Sequence, residues 1–343
     1  MIDPYNLALG EGGKLKMRAT ALLAEGGAEN RFEAAVLFHA AARAERRALD
    51  SLEEVERATS LAAVIEICWC HLEGFDPTGA ARVRGEVLEH ARGVSADLAG
   101  AMSSRLEVRF RRELAEFSRL FHNASALGAL RPSGTFIAPT VTERRRVRRE
   151  ILGLLDRFPG IPHLWWAAYR NAEADEEVEL AWDSLRRAHR LDPLNPAFEA
   201  ISLTLAPRVL AQPELSKLLA ASFHKIQSRT AAPELCLQYA LAEILLAKSH
   251  SDPEGLARAR LAVDVGQAQQ MRRERVRQYL QATRLLLEEK SAGRQPTIDI
   301  LFRAGLGDVV PYASAKPSPD IVSLMTQGAQ QAVSHLADDK LAA

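Results

Sequence analysis

The segment His163–Pro196 constrains the fold more than any other part of the sequence. Its second half places four apolar residues at intervals of three, four and three: Val178, Ala181, Leu185 and Ala188. This spacing follows one face of an α-helix, and alanine at two of the positions allows a neighbouring helix to approach closely. Pro162 favours a helix start, whereas Pro193 cannot continue a helix. The segment therefore predicts two antiparallel helices, at about 162–174 and 176–190.

Two other segments repeat this spacing. One of them is Phe32, Ala35, His39 and Ala42, and the other is Leu256, Ala259, Val263 and Gly266. The separations between the three copies are unequal, and the first and third lack the proline at the exit. Any repeats in this chain are therefore irregular, with long helices inserted between them.

Four positions in the segment His163–Pro196 match those of a known repeat family: Trp165 in the first helix, Ala181 and Ala188 in the second, and Pro193 after the second helix. Through them the segment resembles a tetratricopeptide repeat, a helix pair of about 34 residues. It departs from the family at Tyr169 and Ala172, where the family has glycine and tyrosine. The resemblance implies an irregular α-solenoid of antiparallel helix pairs, which presents a concave binding surface.

Helical patterns continue from residue 14 to residue 291, and only Thr297–Leu301 shows a weak alternation typical of a strand. Helices are predicted near 14–25, 29–47, 51–73, 77–99, 101–126, 142–157, 162–174, 176–190, 195–206, 213–228, 231–248, 253–270 and 271–291. We expect an all-α protein with four regions: helices over 1–126, a linker over 127–141, a tetratricopeptide-like region over 142–292, and a proline-containing tail over 293–343. The tail includes a short amphipathic helix at 319–336, with an apolar stripe of Ile321, Leu324, Met325, Ala332 and Leu336.

Composition narrows the classes of partner and compartment. Lys and Arg total 44 and Asp and Glu total 44, so the formal net charge is zero and no overall field attracts nucleic acid or an anionic membrane. No window approaches the roughly 18 apolar residues of a membrane-spanning helix. Three cysteines, an odd number, do not form a disulfide framework, and no signal peptide is recognisable. These features favour a cytoplasmic protein.

Motifs that would indicate chemistry are weak. In Cys68-Trp69-Cys70-His71 the two cysteines point to opposite sides of a helix and cannot chelate one metal ion, so buried thiols are expected and no metal site or cofactor is predicted. Gly10–Lys14 lacks the spacing of a phosphate-binding loop and is interpreted as a flexible turn. The sequence thus favours a non-enzymatic protein.

Three arginine clusters offer a rival interpretation: Arg144–Arg149, then Arg105 with Arg109, Arg111 and Arg112, then Arg272 with Arg273, Arg275 and Arg277. They would suit a nucleic-acid-binding solenoid, although a solvated face paired with nearby acids such as Glu143 and Glu150 explains them more simply. On the helix that contains the first cluster, Val147, Ile151, Leu154 and Phe158 are expected to face the core.

Adjacent Trp165 and Trp166 point about 100° apart on a helix, so one core does not accommodate both easily. We expect Trp165 to be packed and Trp166 to line a partner-binding groove, together with His163, Arg170 and Glu173 on the same face. Burial of Trp166 under helix 142–157 is the alternative. The leading hypothesis is an interaction scaffold or adaptor for a protein or peptide partner. The rivals are a nucleic-acid-binding solenoid and a small-ligand sensor or enzyme with a pocket near 127–141.

Overall fold

The computed structural model describes residues 4–51, 57–92, 94, 96–125, 140–250, 253–269, 273–309 and 320–342. Within these residues the chain is helical almost throughout and contains no strand. The helices are α1 (Pro4–Glu25), α2 (Ala28–Asp50), α3 (Arg57–Glu73), α4 (Pro77–Ala91), α5 (Ala96–Ser125), α6 (Val141–Arg157), α7 (Pro162–Ala174), α8 (Val178–Leu191), α9 (Pro196–Leu205), α10 (Gln212–Gln227), α11 (Pro233–His250), α12 (Pro253–Gln267), α13 (Glu274–Ser291), α14 (Asp299–Arg303) and α15 (Ile321–Ala342). The all-α prediction is confirmed.

Two local predictions are wrong. The weak strand pattern at Thr297–Leu301 belongs to the helical turn that opens α14, where Ile300 and Leu301 enter a core. The predicted flexible turn at Gly10–Lys14 lies inside α1. A side chain at Gly12 would meet Glu45 Oε1 of α2 at 2.9 Å. Gly12 is therefore better explained by the close approach of two helices than by chain flexibility.

The chain divides into two compact units, an N-terminal unit (Met1–Asp192) and a C-terminal unit (Pro193–Ala343). This division differs from the predicted one, because the helices expected to form a single repeat region over 142–292 belong to both units. Most of the predicted linker, residues 127–139, lies outside the described residues. The boundary between the two units lies just before Pro193, the proline that follows the helix pair predicted over 162–190.

In the N-terminal unit each helix packs against the next along the chain, and α2 also contacts α8. Phe32 of α2 meets Trp165 edge-on, with ring centroids 5.6 Å apart, and Arg187 lies over both rings. Arg43 of α2 donates to the backbone oxygen of Leu191 at 2.8 Å. Helix α8 is therefore held against α2 by contacts between residues that are far apart in the sequence of this unit.

The repeated apolar spacing marks buried positions in all three helices. In α8, Ala181, Leu185 and Ala188 are each 0% exposed, and Val178 is half-buried. In α2 all four positions are buried, and in α12 three of four are. Each of these helices packs against the helix before it in sequence. The pattern thus identified the inner face of each pair correctly.

Among the described residues of the C-terminal unit, a hydrophobic core receives side chains from α9, α10, α11, α12, α13, α14 and α15. Helix α15 packs against α9, α11 and α13 through Val322, Met325, Ala329 and Val333. The segment predicted as a tail with a short amphipathic helix is therefore a core helix of this unit. Its stripe is displaced from the predicted one, because Ile321, Leu324 and Ala332 are only half-buried.

None of the helices in the described parts of the chain has both the length and the apolar character needed to cross a bilayer.

Candidate functional site

The predicted partner-binding residues are more enclosed than expected. Trp166 is 1% exposed and His163 is 7% exposed, whereas Arg170 and Glu173 are half-buried. All four already make contacts within the protein. The expectation that Trp166 lines an exposed groove is wrong. Helix α7 packs against both α6 and α8, so two faces 100° apart can both be covered.

Trp165 is partly buried, as the prediction required of a packed residue, and its indole N–H donates to the Pro159 oxygen at 2.8 Å. Trp166 lies against Tyr169 instead, with ring centroids 4.8 Å apart. The two tryptophans therefore serve two separate packing surfaces of one helix.

The arginine clusters are largely occupied by acidic partners. Arg144 and Arg148 pair with Asp175, and Arg148 also pairs with Glu177. In the other clusters the pairs are Arg109 with Glu73 and Glu113, Arg111 with Glu107, Arg275 with Asp308, and Arg277 with Glu274. These partners of Arg144 and Arg148 lie in the turn between α7 and α8. The expected core face of α6 is confirmed, since Val147, Ile151, Leu154 and Phe158 are buried.

The three cysteines are buried and unpaired with one another. Burial raises the pKa of the Cys68 and Cys70 thiols to about 12 in each case. Both remain protonated near neutral pH, which argues against nucleophilic chemistry at this motif.

A different group of side chains forms the most chemically distinctive cluster in the described residues. It is built by the turn that joins α3 to α4. Two residues after the end of α3, Phe75 has φ 58°, a left-handed conformation that costs a non-glycine residue about 1–2 kcal/mol. Phe75 packs in the apolar cluster that holds Phe32 and Trp165, which offsets this cost. The turn reverses the chain so that Asp76, at the N-cap of α4, faces back toward His71 on α3.

Asp76 is completely buried. Its Oδ1 accepts hydrogen bonds from Thr78 Oγ1 at 2.6 Å and from the Gly79 N–H at 2.8 Å. This is the bonding of an aspartate N-cap, followed by Pro77 at the first helical position. Because Oδ1 is used by the cap, Oδ2 is directed toward the histidines.

Two histidines converge on Oδ2 of Asp76. His71 Nδ1 lies 3.2 Å away and forms a hydrogen bond, and His39 Nε2 of α2 lies 3.7 Å away. The three donor atoms lie within 4.8 Å of one another. The histidine rings are perpendicular, with centroids 5.0 Å apart. Three helices thus bring two imidazoles and a carboxylate to one point.

The electrostatics favour a neutral His39 beside a charged Asp76. Burial, together with the neighbouring His71, lowers the pKa of His39 to about 3, against the opposing effect of Asp76. Burial would raise the pKa of Asp76, but the hydrogen bond from His71 and the proximity of His39 hold it well below its usual range. Among the described residues His39 Nε2 has no hydrogen-bond partner, although buried polar atoms usually have one.

Two glycines leave room for this cluster. A Cβ atom on Gly79 would lie 2.1 Å from Asp76 Oδ2 and 2.4 Å from His71 Nδ1. A Cβ atom on Gly160 would lie 1.7 Å from the backbone oxygen of Gly74. The turn that precedes α7 therefore touches the turn that precedes α4. Both contacts require a residue without a side chain.

A surface cleft of about 260 Å³ lies between α4 and α5. It is lined by Cys68, Arg84, Val87, Leu88, Ala91, Leu106, Glu107, Phe110 and Arg111. Leu88 is 52% exposed at this cleft, whereas Val87, Leu106 and Phe110 are buried. Arg84 binds both carboxylate oxygens of Glu107, at 3.0 and 2.8 Å, and Arg111 binds one of them at 2.7 Å. The cleft thus has an apolar floor and a charged rim.

Neither the cluster nor the cleft was predicted from the sequence. The pair Asp76-Pro77 before a helical pattern is a signal for an aspartate N-cap, and it could have been connected with His71 in the preceding helix. No signal in the sequence joins either residue to His39. No protein-family model matches the chain, and no curated protein matches it significantly.

Proposed function

We propose that the protein is a cytoplasmic, non-enzymatic interaction scaffold or adaptor, and that the cleft between α4 and α5 receives a helical segment of a protein partner. The observation that supports this proposal is the open apolar cleft with its charged rim. Its floor consists of buried side chains, and its mouth exposes a leucine, Leu88.

The size of the cleft favours a side chain over a metabolite. Pockets for small molecules usually enclose about 300–1,000 Å³, and this cleft measures about 260 Å³ and opens to the surface. One or two apolar side chains of a partner fit such a volume. Recognition of this kind is typical of an amphipathic helix that lays its apolar face in a groove. The size therefore supports segment binding over the rival small-ligand sensor or enzyme.

The charged side chains at the rim of the cleft indicate which kind of partner would bind there. Arg84 and Arg111 share the single carboxylate of Glu107, so the rim has one more positive than negative charge. A partner with a carboxylate beside its apolar anchor would gain a charge-assisted hydrogen bond there. The proposed partner is an amphipathic helix with an acidic residue next to a large apolar residue.

Nucleic acid is the weaker proposal for a partner. Binding of a phosphate backbone needs accessible basic side chains, and many arginines of the three clusters are engaged with carboxylates. Kinship with tetratricopeptide repeats belongs to the same proposal as segment binding. It is supported by three helices with one apolar spacing, each packed on its predecessor.

Selection from a library of displayed helical peptides tests this proposal. We expect the enriched peptides to have an acidic residue beside an apolar anchor. Their affinity for the Leu88→Glu variant should be at least tenfold lower, because the new glutamate repels the acidic residue of the peptide at the mouth of the cleft. The matched control is Leu152→Glu, because Leu152 is a 39% exposed leucine on α6. Peptides that bind Leu88→Glu as tightly as the parent chain, or no enrichment at all, would show that the cleft is not a docking site.

A further inference from the structure

The cluster of His39, His71 and Asp76 combines the donor atoms that divalent transition metals prefer. Neutral imidazole nitrogen and carboxylate oxygen are common ligands of zinc, and a set of two histidines and one carboxylate is also typical of non-haem iron. We propose that His39 Nε2, His71 Nδ1 and Asp76 Oδ2 bind one divalent first-row transition-metal ion, of which zinc fits best, and leave one coordination position open to water.

The distances between the donor atoms fit this proposal. A tetrahedral zinc ion with bonds of about 2.0–2.1 Å holds its ligand atoms about 3.3 Å apart. The observed separations are 3.2 Å between His71 Nδ1 and Asp76 Oδ2 and 3.7 Å between His39 Nε2 and Asp76 Oδ2. All three atoms lie within 4.8 Å of one another. Coordination would bring the two imidazole nitrogens to the same spacing of about 3.3 Å.

The second observation is the buried Nε2 atom of His39. It is directed at Asp76 from 3.7 Å, beyond hydrogen-bond length, and has no hydrogen-bond partner within the described chain. A neutral imidazole nitrogen in this position has a lone pair available for a metal ion. Leaving such an atom without a partner destabilises the folded chain, and coordination would remove that cost.

The groups around the donors hold them in the orientation that coordination requires. The His39 ring donates a hydrogen bond to the backbone oxygen of Gly160, and because Nε2 has no partner we assign the donor as the Nδ1–H group. Metal-binding histidines commonly donate their other nitrogen to a backbone oxygen in this way. Thr78 and the Gly79 N–H fix Oδ1 of Asp76, and the bare Cα of Gly79 leaves space beside Oδ2.

Access to the site and the tautomers of His71 are also consistent with an exchangeable ion. The side chain of His71 is 15% exposed, which gives water a route to the fourth position. In the absence of metal, His71 Nδ1–H donates to Asp76 Oδ2. Coordination through Nδ1 requires the other tautomer of the neutral ring, in which Nε2 carries this proton.

Titration of the full-length chain with Co²⁺, after removal of metals with a chelator, tests the proposal directly. We expect one Co²⁺ per chain, with visible absorption bands of tetrahedral strength and no thiolate-to-cobalt charge-transfer band. Zn²⁺ should displace Co²⁺ and raise the melting temperature by about 5 °C at a hundredfold excess over Kd. Elemental analysis of protein purified without oxygen distinguishes zinc from iron as the ion acquired in cells.

Variants locate the ligands. Asp76→Asn retains an oxygen for the helix cap but removes the anionic ligand, so it should fold and bind Co²⁺ at least a hundredfold more weakly. His39→Gln should have the same effect on binding. The controls are His224→Gln, at an exposed histidine of the C-terminal unit, and Cys70→Ser, one residue from His71. Both controls should bind one Co²⁺ as tightly as the parent chain.

Three results would overturn the proposal. The first is the absence of saturable binding in the parent chain, which would leave a hydrogen-bonded structural cluster. The second is unaltered binding by Asp76→Asn. The third is a thiolate charge-transfer band that Cys70→Ser abolishes. If His39→Gln does not fold, Asp76→Asn and the spectrum of the parent chain still decide the question.

Discussion

Asp76 in the N-terminal unit and Glu243 in the C-terminal unit are both buried carboxylates, 0% and 3% exposed, but their surroundings differ. Glu243 of α11 accepts two hydrogen bonds from Arg258 of α12, at 2.9 and 3.0 Å, and one from Tyr239 at 2.5 Å. Its charge is balanced by a permanent cation. Asp76 faces two imidazoles, one of which has a nitrogen without a hydrogen-bond partner among the described residues.

This difference separates a structural ion pair from a candidate binding site. A guanidinium neutralises a buried carboxylate and donates two parallel hydrogen bonds to it. The carboxylate of Glu243 is therefore already paired and is a poor ligand for a further partner. Imidazole can be neutral or charged and can exchange its proton for a metal ion. Burial of a carboxylate alone is therefore a poor sign of function. A better indication of a binding site is a buried carboxylate whose neighbouring side chains lack hydrogen-bond partners.

The largest effect is expected from removal of the cation in the C-terminal unit. Arg258→Leu leaves Glu243 buried without its charge partner, and loss of one member of a buried ion pair costs about 3–5 kcal/mol. The Arg258 side chain is 33% exposed, so we expect the lower figure in the free energy of unfolding measured with urea. Adding Glu243→Leu should recover most of the loss, because both charges are then gone.

The control for that experiment is Glu254→Ala. Glu254 lies 3.9 Å from Arg258 but its side chain is 88% exposed, and exposed pairs contribute about 0–1 kcal/mol. If Arg258→Leu were no more harmful than Glu254→Ala, the buried pair would not have the structural role assigned to it.

The next effect concerns the two functions of Asp76 in the metal-free protein. Asp76→Ala removes the cap of α4 and leaves the buried Gly79 N–H unsatisfied, which should cost about 2–3 kcal/mol of unfolding free energy. Asp76→Asn keeps an oxygen for the cap and should cost about half as much. Chemical denaturation in the presence of a chelator measures both. Equal losses for the two variants would mean that the charge of Asp76, and not its cap, stabilises the turn.

A smaller effect tests the space beside the cluster. Gly79→Ala would place a methyl group against Asp76 Oδ2 and His71 Nδ1, and overpacking of this kind costs about 1–3 kcal/mol. Gly85→Ala on the same helix meets no atom within 4 Å and should instead stabilise by about 0.5–1 kcal/mol, since alanine favours a helix interior. Opposite shifts of the melting temperature are expected; shifts of the same sign would refute the packing described.

The smallest effect involves a third carboxylate, Glu107 at the rim of the cleft. The hydrogen bond from Arg84 lowers the pKa of Glu107 from 4.5 to about 2, against the effect of its partial burial. Because the pKa is lower in the folded chain, this pair stabilises fully above about pH 4.5 and is lost as the pH falls toward 2. The melting temperature of Glu107→Gln should fall less between pH 5.5 and pH 3 than that of the parent chain. An identical fall in both proteins would contradict the lowered pKa.

Predictions that rest on local periodicity were the successful ones. Ala181, Leu185 and Ala188 are buried because the positions of side chains around a helix depend only on their spacing. Burial on that face needs a neighbour, and the preceding helix supplies it. The helix ends at Pro162 and Leu191 were predicted closely for the same reason, since prolines act within a single turn.

The candidate sites depend on contacts that the sequence does not encode locally. Trp166 was placed on an exposed face because its burial is determined by which helices cover α7. In the sequence, His39 stood out only as a member of an apolar stripe and His71 only as a neighbour of cysteines. The reversal of the chain at Phe75 and the packing of α2 against α3 bring these residues together, and both are tertiary effects.

The position of α15 has a consequence for synthesis of the chain on the ribosome. The core of the C-terminal unit joins α9, its first helix, to α15, its last, through direct contacts. Ribosomes add about 5–20 residues per second. The interval between synthesis of α9 and α11 and synthesis of Met325 and Val333, which cover them, is therefore on the order of 10 s. During that interval their apolar faces are open to chaperones. A message that ends after α13 would yield a unit that never completes its core, which makes the C-terminal unit the part of this protein most dependent on full-length translation.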